Sequence, residues 1–551
     1  MQIDNLVATR RVIRFFYFLL DSGESLSESF STIWVSKRMR IREVRLSTIS
    51  LLLVCATAMQ IRAATITVTN TRDSGPGSLR QAIAAANDGD RITFAVSGTI
   101  TLTSGGLLIF KNVTISGPGA NHLSINGNQG AFVFAVGFGK TVTFSGLSVT
   151  NAGSGILNDQ STVSVSNCVI SGNSFAGLDN EAGSSAGASM TVANSVITNN
   201  SGTGAFNLFP FLFSGGSGCA CMTITDSVVS NNNADGIFNG GGSFFGEASL
   251  TVVNSDVSDN NGGGIADSGS GGNAFATIVS TTVSGNSQGG LTDGNNLVDG
   301  IFGFGQSNAQ ATITDSTISG NSTHGGISFI GTHLTVANST ISGNSSVDNG
   351  GGIYALGFAT NFPLNVNIGN STISGNSAGT NGGGIYAFKS ALHIANSTIS
   401  GNSAVSGGGI YHDSGECCNI VSDITNTILN AGASGENIVH TLGLFRSLGY
   451  NLSSDDGSGE LDGPGDQINT DPLLGPLQDN GGPTFTHALQ NSRTLRSPAI
   501  DAGNPSFTPP PSYDQRGSPF VRVFNDRIDI GSFEAQLTRG RPTPRPRPTP
   551  Q

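Results

Sequence analysis

The octapeptide NSTISGNS occupies residues 338–345 and returns at residues 370–377 and 396–403. Consecutive copies, counting looser ones, start 27, 32, 28, 26, 35, 23, 32 and 26 residues apart; the looser copies begin at Asn167, Asn194, Asp226, Asn254, Ser280 and Asp315. Self-similarity at such a period is typical of a solenoid, in which each unit buries its apolar face only by stacking on the next unit. The repeat therefore predicts the fold more directly than it predicts a function.

Each repeat contains three short segments in which apolar and polar residues alternate. In one unit these are LTVA at residues 334–337, the neighbours of Ile341, and IYA at residues 353–355 after a run of glycines. Such alternation, rich in Val, Ile and Thr and bounded by Gly and Asn, is typical of β-strands. Three strands per unit predict an all-β, right-handed parallel β-helix. A β-sandwich or propeller is the alternative, but neither requires one phrase to recur so faithfully.

The turns of this β-helix can also be predicted. Asn and Gly tolerate left-handed backbone and recur at one place in each unit, as in Gly343-Asn344. Equivalent Asn side chains in stacked coils can hydrogen-bond to one another. Coils about 4.8 Å apart would give a rod of roughly ten coils and about 50 Å. The variable spacing then belongs to loops, such as the Phe-rich stretch at residues 206–213.

Composition is compatible with one elongated domain. Gly accounts for 78 of 551 residues, and 37% of residues are hydrophobic while only 11% are charged. This is enough for a narrow continuous core, and a solenoid can extend in one dimension beyond the usual size of a domain.

Residues 1–63 resemble a secretory leader with an additional extension. A basic region is followed by an apolar run at residues 46–54 that is too short to span a bilayer, and by small residues up to Ala63. Because residues 1–38 have no place in such a signal, we expect translation to start at Met39. Lipidation of Cys55 is disfavoured by Val54 before it. The basic residues of the signal are Arg40, Arg42 and Arg45.

The net negative charge of the exported protein disfavours nucleic acid and anionic lipid as partners. Loss of residues 1–63 removes nine basic and five acidic residues, so the net charge changes from −12 to −16. An acidic rod would repel nucleic acid and anionic lipid. The exported protein is therefore expected to bind no nucleic acid and not to span a membrane.

The remaining segments are an N-terminal cap at residues 64–130, the repeats at 131–445, an irregular C-terminal cap at 446–537 and a Pro/Arg-rich tail at 538–551. Caps are expected because the open ends of a β-helix expose strand edges. One helix is predicted in the first cap, where Ser78 and Gln81 form a capping box. Its apolar face would lie across the first coil and is formed by Leu79, Ile83 and Ala86.

Five cysteines remain after the leader, an odd number that does not predict a disulfide framework. Cys168 occupies the Ser position of the repeat and is interpreted as a packing residue. Cys219 and Cys221, like Cys417 and Cys418, could close local bridges, or the two pairs could bond to each other. A zinc site is disfavoured.

Three stretches resemble known families. GSLRQAI at residues 77–83 resembles the N-terminal domain named after the motif CSLREP of exported bacterial β-helix proteins, with Gly77 and Gln81 in place of Cys and Glu. The repeats resemble right-handed β-helix repeats of the pectate-lyase-like superfamily and the short motifs of chlamydial polymorphic outer-membrane proteins. NTDP (469–472), NGGPT (480–484), SPAIDAG (497–503), DQRG (514–517) and DIGSFE (529–534) resemble the choice-of-anchor Q domain. These resemblances imply a surface or secreted protein but no defined reaction.

The pectate-lyase-like resemblance raises the question of polysaccharide cleavage. Lyases of that fold use Ca²⁺ and a basic residue, yet no Arg lies between Arg91 and Arg446, and the Lys residues there are Lys111, Lys140 and Lys389. A lyase is therefore disfavoured. A glycoside hydrolase needs only two carboxylates about 5–9 Å apart. The candidate catalytic acids are Asp226, Asp256 and Asp259, although turn or solvent-facing roles are favoured for them.

The sequence evidence for a bound metal ion is weak. The seven His residues are scattered without metal-ligand spacing. An acidic, Gly-rich loop could hold Ca²⁺ through oxygen ligands but does not fit the EF-hand pattern. The candidate ligands are Asp455, Asp456, Glu460 and Asp462.

The sequence thus predicts a secreted or cell-envelope protein of a bacterium. Its expected role is structural or adhesive, with a long surface rich in Thr, Ser and Asn that binds a polysaccharide or cell-surface glycan. The alternative is a glycoside hydrolase with paired carboxylates in the groove of the β-helix.

Overall fold

The computed structural model describes residues 63–183, 186–209, 218–241, 246–269, 273–287, 301–305, 308–357, 364–415, 420–492 and 494–536. These residues belong to one compact unit that begins at Ala63. The predicted leader, Cys417 and Cys418, and the Pro/Arg-rich tail lie outside the described residues.

The fold is a right-handed parallel β-helix, as predicted, and its coils are built from three parallel sheets. Sheet A has 15 strands, one from each coil: Thr65–Val68, Arg91–Phe94, Val113–Ser116, Thr141–Ser145, Thr162–Ser166, Ala188–Ala193, Cys219–Thr225, Glu247–Val253, Asn273–Val279, Asn308–Thr314, His333–Ala337, Leu364–Gly369, Ser390–Ala395, Val421–Thr425 and Leu444–Gly449. The prediction of roughly ten coils was too low because the coils at both ends lack the repeated phrase.

Sheets B and C share two long strands, Leu123–Val136 and Ser148–Asp159, which run through both. The other strands of sheet B are Gly98–Thr101, Val169–Ser171, Val196–Thr198, Val228–Ser230, Asp256–Ser258, Thr282–Ser284, Thr317–Ser319, Thr340–Ser342, Thr372–Ser374, Thr398–Asn402, Ile428–Ala431 and Leu452–Ser453. The other strands of sheet C are Leu107–Ile109, Ala176–Glu181, Thr203–Phe209, Ile237–Gly241, Ile265–Gly269, Ile301–Gly305, Ile327–Ile330, Ile353–Leu356, Ile385–Phe388, Ile410–Asp413 and Ile438–His440. Phe206–Phe209, predicted to lie in a loop, is therefore part of sheet C.

Two turns define each coil. Between sheets A and B the chain turns at an Asn with left-handed backbone, such as Asn338 with φ 51°. After sheet B it turns at a left-handed residue that is Gly in most coils, such as Gly343 with φ 62°, and Asn or Asp in others. Asn and Gly adopt this conformation at the lowest cost, which explains their place in the repeat.

Apolar side chains form continuous inward ladders. Ile341 pairs in register with Ile373, and Ile373 with Ile399. All three are at most 1% exposed. Equivalent positions of the three copies of the phrase are therefore stacked in register, and each coil buries its apolar face against its neighbours.

Nine buried Asn side chains form a second ladder at the turn after sheet B. Each Nδ2 except that of the last Asn donates to the Oδ1 of the next Asn at 2.9–3.0 Å. This stacking was predicted from the repeat, and it satisfies amides that would otherwise be buried without partners. The asparagine ladder consists of Asn173, Asn200, Asn232, Asn260, Asn286, Asn321, Asn344, Asn376 and Asn402.

A shorter polar ladder lies inside the β-helix along sheet C. Asn158, Asn180, Asn207 and Asn239 each donate at 2.6 Å to the next member of the ladder. The last acceptor is Asp267, which is fully buried, and burial raises its pKa to about 7. An ionised carboxylate accepts hydrogen bonds but donates none, so Asp267 needs no acceptor in the next coil. The ladder can therefore end at Asp267, where the column becomes apolar.

The N-terminal segment forms helix α1, Leu79–Ala85, as predicted. The Ser78 side chain accepts a hydrogen bond from the Gln81 backbone N–H at 3.2 Å, and Leu79, Ile83 and Ala86 are buried. The same segment also contributes strands Thr65–Val68, Arg91–Phe94 and Val113–Ser116 to sheet A, so the β-helix begins within the predicted cap.

The C-terminal region lies along the outer face of sheet B. It contains an antiparallel pair, Leu474–Gln478 with Thr486–Leu489, and a 3-10 turn at Gly457–Gly459. The remaining short strands are a parallel pair, Ser345–Ser346 with Ser377–Ala378, within the repeats.

Three Thr hydroxyls of sheet B dock this C-terminal region. Thr340 donates to the Phe485 carbonyl at 2.6 Å, Thr372 donates to Gln515 Oε1 at 2.6 Å, and Thr398 accepts from the Ser532 backbone N–H at 3.1 Å.

A buried ionic cluster holds the C-terminal region together. The Arg516 guanidinium forms an ion pair with Asp514 at 2.6 Å and lies between the rings of Phe520 and Phe533, at 3.7 and 3.8 Å. Arg522 is fully buried and donates to the Gly531 carbonyl at 2.6 Å. These contacts explain the DQRG and DIGSFE motifs as packing elements.

Candidate functional site

One column of outward side chains on sheet A is uniform over nine successive coils. Its members pair in register along the sheet and are all at least partly exposed. The column spans about 38 Å at about 4.8 Å per coil. We call it the hydroxyl column; it consists of Thr114, Thr143, Ser164, Thr191, Thr223, Thr251, Thr277, Thr312 and Thr335.

The flanks of the hydroxyl column are more variable. Positions two residues away on the same strands include Ala193, Val253, Phe275 and Gln310. The general preference of strands for β-branched residues would act on these positions as well, yet it does not make them uniform. Strand formation alone therefore does not explain why every position of the column carries a hydroxyl group.

Charge is nearly absent from this face. Among the nine strands that carry the hydroxyl column, Glu247 is the only residue that is Asp, Glu, Lys or Arg. Charged groups mark the column's ends: Arg91 donates to Ser116 Oγ at 2.9 Å near one end. Near the other end Asp423 contacts His393 at 3.0 Å and Arg446 at 3.8 Å. The central surface suits a neutral ligand better than a uronate.

The structure brings two of the three predicted catalytic acids into one groove. Asp226 and Asp256 line an open groove of about 420 Å³ between sheets A and B. Asp226 Oδ1 accepts a hydrogen bond from Asn254 Nδ2 at 2.5 Å, whereas Asp256 Oδ1 is buried without a hydrogen-bond partner. Asp259 lies outside this lining, at a left-handed turn after sheet B with φ 54°.

A second acidic group lies on the outer face of sheet C, where the sequence gave no periodic signal. Glu181 pairs in register with Asp159, and Ser154 Oγ donates to Asp179 Oδ2 at 2.9 Å. Burial, assisted by the charge of Glu181, raises the pKa of Asp179 to about 7. Burial and Asp159 also raise the pKa of Glu181. Asp179 is only 3% exposed, so its carboxyl group is shielded from a polymeric ligand in this conformation.

Aromatic side chains stack along the outer face of sheet C. Phe206 and Phe238 stack with ring centroids 5.0 Å apart. Further along the same column, Tyr354, Tyr386 and Tyr411 form a tyrosine row, with centroid separations of 5.3 and 5.5 Å. Rings stacked face to face along the axis present their edges, and in the tyrosine row their hydroxyls, to solvent.

The predicted calcium ligands make local contacts in the structure. Asp455 accepts hydrogen bonds from Asn437 N, Ser453 Oγ and Gly457 N at 2.7–2.9 Å. Asp456 caps the 3-10 turn, and Glu460 contacts His440 at 3.1 Å. Asp462 is exposed. Over the described ranges no three His, Cys, Asp or Glu residues are arranged to hold a metal ion. Calcium binding stays a prediction.

The His and Cys residues that can be placed have structural contacts. His412 is buried, contacts Ser422 Oγ at 2.8 Å, and burial lowers its pKa to about 4. Cys219 and Cys221 form a local disulfide, one of the two arrangements left open by the sequence. Cys168 is buried and unpaired, as its interpretation as a packing residue requires.

The Lys residues considered for lyase chemistry lie apart. Lys111 Nζ donates to the Ala84 and Ala86 carbonyls at the end of helix α1. Lys389 lies 5.2 Å from the ring of Phe388 on sheet C. Lys140 lies in the connection before strand Thr141–Ser145.

Within the described ranges, no helix is both long enough and apolar enough to cross a bilayer.

Of three comparisons with known proteins, only the comparison with solved structures gives matches. No protein-family model and no curated protein matches the chain. Among solved structures, pectate lyase Pel9A is 15% identical with a TM-score of 0.35, covering 86% of this chain and 96% of its own. The A-module of the Azotobacter vinelandii mannuronan C-5 epimerase AlgE6 is 14% identical with a TM-score of 0.42, covering 70% and 97%. The GH87 α-1,3-glucanase catalytic unit of Streptomyces thermodiastaticus strain HF3-3 is 14% identical with a TM-score of 0.33, covering 71% and 70%. Similarity at this level concerns the fold alone.

Proposed function

We propose that this chain is a surface-binding β-helix protein with a structural or adhesive role, and that the hydroxyl column binds a neutral polysaccharide. The observation that carries the proposal is the uniform column of nine hydroxyl-bearing residues on sheet A. Elongated repeat proteins use such extended surfaces rather than pockets for binding.

The chemistry of the column suits a linear, uncharged glycan. Each Thr offers a hydroxyl that donates and accepts hydrogen bonds and a methyl group that contacts the apolar face of a sugar. The strands hold these groups in fixed positions, so little conformational entropy is lost on binding. A polymer laid along the axis can repeat the same contact from coil to coil. Each contact would be weak, and affinity would come from their number.

Export to the bacterial surface is part of the proposal. It is supported by the basic and apolar pattern of residues 39–63 and by the low charged fraction of 11%. The resemblances of residues 77–83 to a CSLREP-type domain, of the repeats to chlamydial outer-membrane proteins, and of residues 469–534 to a choice-of-anchor Q domain point the same way. A secreted, adhesin-like role follows from these features together.

The test is binding to a panel of neutral and acidic polysaccharides. The double variant Thr251→Val and Thr277→Val removes two neighbouring hydroxyls of the column while keeping the branched shape. Thr99→Val with Thr101→Val is the matched control, since both residues are exposed on sheet B and lie outside the column and the groove. We expect the first variant to bind at least tenfold more weakly and the control to bind like the wild type. Equal binding by both variants would refute a role for the column.

A glycoside hydrolase is the second candidate function, favoured by the shared groove of Asp226 and Asp256. In such a reaction one carboxylic acid protonates the glycosidic oxygen while the other carboxylate activates water. The test is release of reducing ends from neutral glycans by the full chain. Activity that disappears in both Asp226→Asn and Asp256→Asn, with binding retained, would establish the hydrolase. No reducing ends above background, with binding unaffected by Asp256→Asn, would support the binding role.

A further inference from the structure

The tyrosine row lies in an acidic setting on sheet C. Asp413 and the neighbouring tyrosines contribute to the raised pKa of Tyr386, after burial, and Asp348 contributes in the same way at Tyr354. Asp413 also lies two residues after Tyr411 on strand Ile410–Asp413, on the same outward face. The opposing charge is Lys389, whose ammonium group lies over Phe388 at 5.2 Å. The surface is a partly exposed aromatic strip with acids at its sides.

The segment that follows the described residues has the complementary composition. Residues 538–551 read TRGRPTPRPRPTPQ, with four Arg, five Pro and no acidic residue. Alternating Pro favours the extended polyproline II conformation, which aromatic-lined grooves recognise. Arg side chains add ion pairs with carboxylates and stack on aromatic rings. The Arg516 guanidinium between Phe520 and Phe533 shows that this chain already uses such stacking.

The described chain also ends close to a coil that carries part of the tyrosine row. Ser532 contacts Thr398, and Gln536 donates to the Val521 carbonyl at 2.7 Å, so the chain leaves the described region on the outer face of sheet B. Strand Thr398–Asn402 belongs to the same coil as the strand that carries Tyr411. The 14 residues of this tail would span about 43 Å in polyproline II conformation, several times the roughly 10 Å between packed sheets. The tail can therefore reach sheet C of its own coil.

We propose that residues 538–551 dock in cis on the tyrosine row, with Arg side chains paired to Asp348 and Asp413. The tail then covers an aromatic strip that would otherwise be partly exposed. A neutral glycan or a second copy of the chain could occupy the same strip, and the experiment below separates these occupants.

The experiment compares the full chain with a chain truncated after Gln536. A fluorescent synthetic peptide of residues 538–551 is titrated into each, and its anisotropy is measured. We expect the peptide to bind the truncated chain and to bind the full chain at least tenfold more weakly, because the native tail occupies the site. Binding should weaken with added salt, and a peptide with all four Arg replaced by Gln should not bind.

Variants of the truncated chain locate the site. Tyr386→Ala and Asp413→Asn should each reduce peptide affinity at least fivefold, with unchanged melting as the check on folding. Phe206→Ala and Asp159→Asn, on the same sheet but six coils from Tyr386 and nine coils from Asp413 respectively, are the matched controls and should bind normally. Equal peptide binding by full and truncated chains, equal loss in the control variants, concentration-dependent dimers of the full chain, or binding of neutral glycan but not peptide to the truncated chain would each overturn the proposal.

Discussion

Removal of one rung of the asparagine ladder has a consequence that can be estimated from its hydrogen bonds. Asn286 Nδ2 donates to Asn321 Oδ1 and to the Val257 carbonyl, both at 3.0 Å. Its Oδ1 accepts from the side chain of Asn260 at 2.9 Å and from the Asn260 backbone N–H at 3.1 Å. Asn286→Ala therefore deletes four buried hydrogen bonds and leaves a backbone N–H without this acceptor.

The cost follows from the usual value of such bonds. A buried hydrogen bond contributes about 0.5–1.5 kcal/mol net, and an orphaned buried group costs about 1–3 kcal/mol, so we expect a loss of about 3–5 kcal/mol. In a solenoid each coil contacts only its neighbours, so the loss should appear as local opening. It corresponds to an increase of about 10² to 10⁴-fold in the opening equilibrium of the affected coils.

Amide hydrogen exchange measured by mass spectrometry is the assay. Peptides that contain residues 254–260 and 282–286 should exchange faster in Asn286→Ala by that factor, while peptides of distant coils should be unchanged. Asn261→Ala is the matched control, because its side chain is exposed and its Nδ2 bonds only to Asn233 at 3.0 Å. Exchange in Asn286→Ala that matches the control would refute the claim that the ladder stabilises these coils.

Three further outcomes are expected. Ile373→Asp places a carboxylate at a fully buried position and should unfold the surrounding coils, seen as a lower melting temperature by circular dichroism. The folded pKa of Asp267, about 7, lies above its value in an unfolded chain, so stability should fall as pH rises from about 4 to 7. Asp267→Asn should make melting less dependent on pH over that range. Gln515→Ala removes hydrogen bonds to Thr340 and Thr372 and should speed proteolysis within residues 480–536, whereas Gln478→Ala, an exposed control, should not.

Local and periodic features of the fold could be predicted from the sequence. The left-handed Asn and Gly turns, the Ile341 ladder and the stacked Asn residues all follow from short-range chemistry repeated at one period. Helix α1 was equally predictable, since Ser78 and Gln81 form its cap within four residues. The number of coils was not, because strands such as Arg91–Phe94 lack the phrase and pair only through long-range contacts.

The candidate sites likewise divide into residues that the sequence could associate and residues that only the structure brings together. Asp226 and Asp256 could be associated because both stand at known offsets from the repeated phrase, and they line one groove. The cluster of Asp159, Asp179 and Glu181 was missed because the spacing between sheets B and C varies from coil to coil. Only the strand register places Glu181 beside Asp159. The hydroxyl column was foreseen as a Thr-rich face, but its length required the pairing of every strand.

Contacts with the C-terminal region, in addition to stacking, bear on the identity of the three perfect copies of NSTISGNS. Stacking alone does not require Thr at the third position, since the corresponding outward residues include Val196, Val228 and Asp256 in earlier coils, although Thr282 and Thr317 precede the docked coils. The three perfect copies are the ones whose Thr hydroxyls bond to Phe485, Gln515 and Ser532, as described above. In these three coils the Thr at the third position therefore serves the docking of the C-terminal region as well as the fold. In these three coils another segment of the chain covers outward Thr hydroxyls, which is the kind of contact that we propose for the hydroxyl column of sheet A with a glycan.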